Sequence, residues 1–248
     1  MKSLLLILML TVVIVSCGKD EDLPQPKTIL VSQSTTVSTS STTVMKYNRN
    51  ANGRLLSYGL SSKDSVALDY DSRGNISALR FTYLNQNRWE YTYDSQNRLV
   101  SKQGYNSDGT KGSEAVFTYF DDRIEMLQTY SNGSTNKHVY FYTADKKNIS
   151  NYKQYGTSGK VAQDETYTIS NVKAPRFGYE AVNGFINANA SEKTVRVEYD
   201  NSLPDSPSKT TTFFSKIVAN ESGYPASIEY SASNSTAIST RNYDYIAW

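Results

Sequence analysis

Few side chains in this 248-residue sequence have the types and spacing that catalysis requires. Its single histidine, His138, lies in the alternating run Lys137-His138-Val139-Tyr140-Phe141-Tyr142. An imidazole acts as a general base when a nucleophile and an orienting acid stand beside it. No Gly-x-Ser-x-Gly elbow surrounds any serine, so His138 reads as a structural or surface residue on a strand. Asp71, Asp94, Asp121, Asp122, Asp145 and Asp200 fall in or beside turns. Two carboxyls held about 5–9.5 Å apart could cleave a glycosidic bond. Each of these aspartates already has a turn role, because an Asp side chain hydrogen-bonds its own backbone. No Asp-x-Asp-x-Asp-Gly calcium loop occurs. One Cys and one His exclude an internal disulfide framework and a His-rich metal site, and no cofactor is expected. A net charge of +2 argues against a dedicated nucleic-acid binder.

Two further features could carry recognition or modification. Trp89, Tyr91 and Tyr93 alternate with Glu90 and Thr92, so the three rings share one strand face. Such a face could stack a glycan; its structural reading is the hydrophobic side of a sheet. Asp64-Ser65-Val66 resembles the Asp-Ser/Thr-aliphatic acceptor of Bacteroidota O-glycosylation, which makes Ser65 a candidate site.

The elements that must position these residues repeat. Leu68-Asp69-Tyr70-Asp71-Ser72-Arg73-Gly74-Asn75-Ile76 is matched by Tyr91-Thr92-Tyr93-Asp94-Ser95-Gln96-Asn97-Arg98-Leu99. An earlier copy runs from Met45 to Leu55, and Tyr47, Tyr70 and Tyr93 stand 23 residues apart. Looser copies begin at Tyr119, Tyr142, Val197 and Val218. In each unit a period-2 arm runs into a polar centre where Gly or Asn tolerates positive φ, and a second arm returns as in Ile76–Phe81. That is a β-hairpin. The fold class is therefore all-β, a long antiparallel meander of about seven hairpins and about 14 strands. Open sheets rarely exceed about 10 strands, so it should roll into a barrel, a half-barrel or two packed layers.

Three segments depart from the pattern. Residues 171–193, with Pro175, Gly178 and Gly184, suggest an irregular insertion with a helical turn. Its Phe177, Tyr179, Phe185 and Ile186 would plug or cap the roll. Ser32–Thr43 reads as a linker or an edge hairpin. The C-terminus ends on Trp248, as outer-membrane barrels often end on an aromatic. Counting back by twos gives Ile246, Asp244 and Asn242, which breaks the lipid-facing alternation after one step.

The N-terminus carries an address. Leu4 to Val15 is apolar apart from Thr11. As a helix it would span about 18 Å, short of a bilayer core of about 30 Å. It fits the h-region of a signal peptide. Ile14-Val15-Ser16-Cys17 then resembles a lipoprotein lipobox, with Ile14 in place of the usual Leu. Residues 1–16 would be the signal peptide and 17–27 a tether joined to the lipid bilayer through acylated, palmitate-bearing Cys17. Lys19-Asp20-Glu21-Asp22 resembles the export signal of Bacteroidota surface lipoproteins, and Pro24 and Pro26 stiffen the tether.

The tyrosine–aspartate units resemble YD/RHS-type repeats. With the lipobox and Glu221-Ser222-Gly223-Tyr224-Pro225 near the end, they resemble a Bacteroidota surface lipoprotein family of unknown function with a porin-like fold. The resemblance covers most of residues 28–248, a single repeat domain, and implies no catalytic residues. The expected function is a non-enzymatic lipoprotein of the outer membrane that faces outward and binds or scaffolds a glycan or an envelope protein. Two alternatives stand beside it: a carbohydrate-active enzyme with a carboxylate pair inside the roll, and a structural envelope or pilus-like component with exposed sheet edges.

Overall fold

The computed structural model describes residues 28–61, 65–82, 87–176, 184, 187–199 and 206–247. The signal peptide, Cys17, the export signal at Lys19–Asp22, Asp64, Phe177, Tyr179, Phe185, Ile186 and Asp200 lie outside the described residues.

Sixteen strands follow one another. The first four are β1 (Ile29–Ser38), β2 (Thr42–Arg49), β3 (Leu55–Gly59) and β4 (Ser65–Tyr70). Next come β5 (Ile76–Phe81), β6 (Arg88–Tyr93), β7 (Leu99–Tyr105) and β8 (Lys111–Tyr119). Then β9 (Arg123–Tyr130), β10 (Thr135–Tyr142), β11 (Ile149–Tyr155) and β12 (Val161–Lys173). The last are β13 (Asn189–Tyr199), β14 (Pro207–Ala219), β15 (Pro225–Ala232) and β16 (Ser235–Ala247). Every strand pairs antiparallel with its sequence neighbours, and β16 pairs with β1, so the meander closes into a barrel.

The count of 16 corrects the expected 14. Seven connections lie at the rim that carries both termini, which accounts for β2 to β15. The terminal strands β1 and β16 share no turn and are joined only by their ladder, from Ile29↔Ala247 to Ser38↔Ser239. Ser32–Thr43 is accordingly neither linker nor edge; it forms β1 and enters β2 beside this seam. Closure also leaves the described sheet without a free edge, which removes the premise of the pilus-like alternative. The unit at Val197–Asp200 leads to the opposite rim, and the irregular segment is shorter than expected. Residues 171–173 end β12, residues 189–193 begin β13, and only 174–188 connect them.

The repeat turns share one geometry. Asp71 Oδ1 accepts the N–H groups of Arg73 and Asn75 at 2.9 and 2.8 Å. Asp94 does the same for Gln96 and Arg98, and Asn50 and Asn220 act likewise in their turns. The fourth residue of the turn then takes positive φ: Gly74 at 88°, Asn97 at 60°. This is a three-residue loop with a glycine bulge, and the register steps at Asp69/Tyr70 and Thr92/Tyr93 record it.

A second repeated contact ties five of the units to the strand before. The Tyr93 hydroxyl donates to the Ile76 carbonyl at 2.9 Å, Tyr119 to Leu99 at 2.9 Å and Tyr245 to Pro225 at 2.8 Å. Tyr70 donates to Leu55 in the same way. At the first unit Arg49 takes this place, and its Nη2 donates to the Val31 carbonyl at 3.1 Å. Each receiving residue stands near the start of an odd strand and is buried. Desolvation follows: burial pushes the Tyr93 and Tyr119 phenols up to about 12.

Alternation decides what fills the barrel. Val66, Leu68, Leu79, Ala115, Phe117, Ile124 and Met126 point inward, with Tyr47, Tyr58, Trp89, Tyr91 and Tyr140 packed among them in two apolar clusters. The outward face mixes charged and polar residues with scattered exposed apolar ones such as Val116 and Leu127. It carries the ion pairs Asp69–Arg80, Arg88–Glu90, Arg123–Glu125, Lys137–Glu125 and Lys153–Asp164. A ring of 16 strands is wide enough for an aqueous channel; here the inward tyrosines and aliphatic residues occupy much of that width.

The connection 174–188 reaches across the rim that carries the termini. The Arg176 carbonyl accepts Val31 N–H at 2.9 Å on β1. On the other side, the Gly184 carbonyl accepts the Tyr119 hydroxyl at 3.3 Å. Gly184 has φ +83°, and a Cβ there would lie 2.9 Å from Phe117 Cε1, so only glycine lets the chain pass this close to the ring. Asn187 Oδ1 accepts Ile149 N–H at 2.8 Å. The described residues of this connection thus meet β1, β8 and β11 at the same rim.

Burial makes a sharp contrast between two leucines. Leu99 is 2% exposed inside the barrel, and Leu127 is 49% exposed outside. Leu99→Ala should cost about 2–5 kcal/mol in denaturant unfolding, whereas Leu127→Ala should stay within about 0.5 kcal/mol. Tyr93→Phe, which removes only the hydroxyl clamp, should cost about 1 kcal/mol in the same measurement.

Candidate functional site

The described aspartates singled out from the sequence, Asp71, Asp94, Asp121, Asp122 and Asp145, are spread along one rim and do not converge. Asp71, Asp94 and Asp145 each accept backbone N–H groups of their own turns. The Arg98 N–H and guanidinium hold the Asp94 carboxyl below the ordinary carboxylate range. Asp122 pairs with Arg123 at 2.9 Å, and Asp121 lies 3.6 Å from Lys146. Trp89, Tyr91 and Tyr93 do share one face, and it is the inner one. Trp89 lies against Gly104, where a Cβ would come within 3.2 Å of the indole, and Lys102 Nζ sits 5.3 Å from the ring centre. They form no outward platform. Ser65 begins β4, and its N–H donates to Thr82 Oγ1 at 2.9 Å.

His138 is buried on the inner face of β10. Its Nδ1 lies 2.8 Å from the Tyr152 hydroxyl, the two rings are stacked, and its Nε2 has no hydrogen-bond partner among the described residues. Burial, followed by the positive charge of Lys102, lowers its pKa. No serine hydroxyl bonds to it, so no nucleophile–base pair is assembled there among the described residues.

Polar residues that the sequence did not single out gather on the neighbouring inner face. Glu165 on β12 is buried and accepts the Arg196 Nε of β13 at 2.7 Å and Gln163 Nε2 at 2.8 Å. Its second oxygen accepts the Tyr167 hydroxyl. Register puts Glu165 directly opposite Arg196, so the pair is fixed by the ladder. Arg196 also lies over Phe213, 5.0 Å from the ring centre.

This pair forms one wall of a cavity of about 470 Å³ inside β12 to β16. Tyr167, Phe213, Tyr230 and Tyr243 supply aromatic surface; Ser191, Thr194 and Ser215 supply hydroxyls. Arg241 on β16 completes it, with its Nε donating to Thr36 Oγ1 at 3.1 Å. Among the described residues Glu165 is the one carboxylate of the lining, and Arg241 has no carboxylate within 4.0 Å. The size and the mix of aromatic walls with a few convergent polar groups suit a small-molecule site. Among the described residues no group of three or more metal-binding side chains occurs.

The cavity left a faint mark in the sequence. Gln163, Glu165 and Tyr167 alternate with Asp164 and Thr166, so both faces of β12 are polar and neither advertises itself as the interior.

No family model matches the chain, and no curated protein matches it. Its fold is similar to that of a porin-like protein from Bacteroides vulgatus ATCC 8482, with a TM-score of 0.63 at 10% identity, over 88% of this chain and 99% of that one. A porin-like protein from Bacteroides uniformis ATCC 8492 gives 0.43 at 13% identity, over 87% and 98%. At such identities the likeness to the first is one of fold.

The buried imidazole makes stability depend on pH. Because the folded-state pKa of His138 lies below 6.5, its contribution is present above 6.5 and declines as pH falls toward the folded value. His138→Gln should lose this part of the acid sensitivity. Thermal unfolding of both proteins across that range, with NMR titration of the single imidazole, checks the sign.

Proposed function

We propose that the chain is a lipid-anchored outer-membrane barrel that does not span the bilayer and serves as a non-catalytic binding module. The observation that carries this reading is the polarity of the barrel wall. A transmembrane barrel turns an apolar band to lipid and alternates it with a polar lumen. Here the apolar clusters are inside, and Arg80, Arg88, Arg123, Lys137 and Lys153 with their carboxylate partners are outside, among scattered exposed apolar residues such as Val116, Leu127 and Val218. Each Arg or Lys on a lipid-facing strand costs about 2–4 kcal/mol at the bilayer midplane. A barrel with this exterior belongs in water, so attachment falls to Cys17.

The tether also sets the orientation. The eleven residues between Cys17 and Ile29 span at most about 40 Å. They enter the barrel at the rim of Tyr–Asp turns, where Arg176 also meets β1. That rim faces the membrane in this reading, and the turns at 106–110, 131–134 and 156–160 face away from it. Lys19-Asp20-Glu21-Asp22 carries the chain to the outer leaflet. A glycan or an envelope protein would meet the distal rim or enter the interior.

The test is metabolic labelling. Wild-type protein should incorporate labelled palmitate and fractionate with the outer membrane. Cys17→Ala should be unlabelled and released by a carbonate wash with its unfolding temperature unchanged. Replacing Lys19-Asp20-Glu21-Asp22 by alanines should abolish cleavage by protease added to intact cells. Unlabelled wild type, or Cys17→Ala that resists the wash, would overturn the reading.

A further inference from the structure

We propose that the cavity enclosed by β12 to β16 binds a small organic monoanion with a flat apolar body, held by Arg241 against walls formed by Phe213, Tyr230 and Tyr243. The inference deepens the binding reading above by naming a ligand class. It does not need the lipid anchor, so a failed palmitate experiment leaves it standing.

Three observations converge. The first is charge. The charged side chains of the lining are Glu165, Arg196 and Arg241. Glu165 and Arg196 neutralise each other at 2.7 Å, which leaves one positive charge on Arg241. Its Nε rests on Thr36 Oγ1, the guanidinium also bonds the Tyr243 hydroxyl, and it meets no carboxylate among the described residues. A guanidinium presents its donors in a fixed plane that matches the two oxygens of a carboxylate. Elsewhere on the inner wall Lys102 is buried beside Trp89 and Phe117 with no ion pair among the described residues. An anion is the species this interior lacks.

The second is the surface around that charge. Tyr230, Tyr243 and Phe213 lie on β14 to β16 with Tyr167 opposite on β12, and Ile228 and Ala190 fill the gaps. Aromatic faces favour a planar or ring-shaped partner. The third is size: about 470 Å³ is within the range of small-molecule sites and too confined for a protein segment with its own fold. The Glu165–Arg196 pair has a definite part here. Pinned by the β12–β13 register and by Tyr167 and Gln163, it forms a rigid polar wall that leaves the free charge on one side only.

The test compares 2-naphthoate with the neutral 2-naphthamide on the full chain in detergent, by isothermal titration. Wild type should bind naphthoate at least about tenfold more tightly, the scale expected for a hydrogen bond to a charged group. Arg241→Gln should abolish that preference and Arg241→Lys should restore part of it. Phe213→Ala should weaken both probes. The wild-type ratio needs no variant, so it decides the matter even if Arg241→Gln fails to fold. Absence of naphthoate binding up to about 1 mM, equal binding of both probes, or an unchanged preference in a folded Arg241→Gln protein would overturn the proposal.

Discussion

A phenol reaching back to the first buried carbonyl of the preceding hairpin is the contact on which this barrel depends. A two-stranded hairpin is marginal in water, because one pair of strands buries too little on either face. The turn chemistry of Asp71 or Asp94 makes the hairpin but says nothing about its neighbours. The tyrosine just before that aspartate does. Tyr93 on Ile76 and Tyr119 on Leu99 fix the offset between successive units, and Arg49 on Val31 carries the same tie to the seam. Repeating one offset around a twisted sheet is what lets β16 return to β1 in register.

Closure has consequences for both faces. It removes exposed edges, so the outer surface needs only to be polar, and its ion pairs meet that need without adding much stability. The inner surface has to be filled. Sixteen strands enclose more space than aliphatic side chains readily fill, and tyrosine supplies long, flat apolar volume with a hydroxyl that can bond to a carbonyl. The abundance of tyrosine is thus tied to the strand number. Filling lapses on the inner faces of β12 to β16, where Glu165, Thr194, Arg196, Ser215 and Arg241 replace apolar residues. Buried charges are tolerated when paired. Glu165 and Arg196 are paired, and Arg241 has only hydroxyl partners among the described residues.

The connection between β12 and β13 belongs to the same economy of space. It contacts β1 through Arg176 and β8 through Gly184, strands on opposite sides of its own anchor points. The barrel's fold is similar to that of a porin-like protein. The fold alone is silent about transport. The proposed non-spanning reading rests on the distribution of charge on the wall.

By itself, the sequence determined the hairpins. Asp71-Ser72-Arg73-Gly74 and Asp94-Ser95-Gln96-Asn97 encode their turns through local hydrogen bonds and positive φ, and the alternation of Trp89, Tyr91 and Tyr93 encodes a strand face. Such features act over a few residues, so they can be read in order along the chain. Only the tertiary structure decided the strand count, because β1 and β16 meet across more than 200 residues with no turn to mark them. It alone turned the aromatic trio inward. It also alone brought Glu165, Arg196 and Arg241 to one cavity, since β12, β13 and β16 each look polar on both faces and acquire an inside only when the sheet closes.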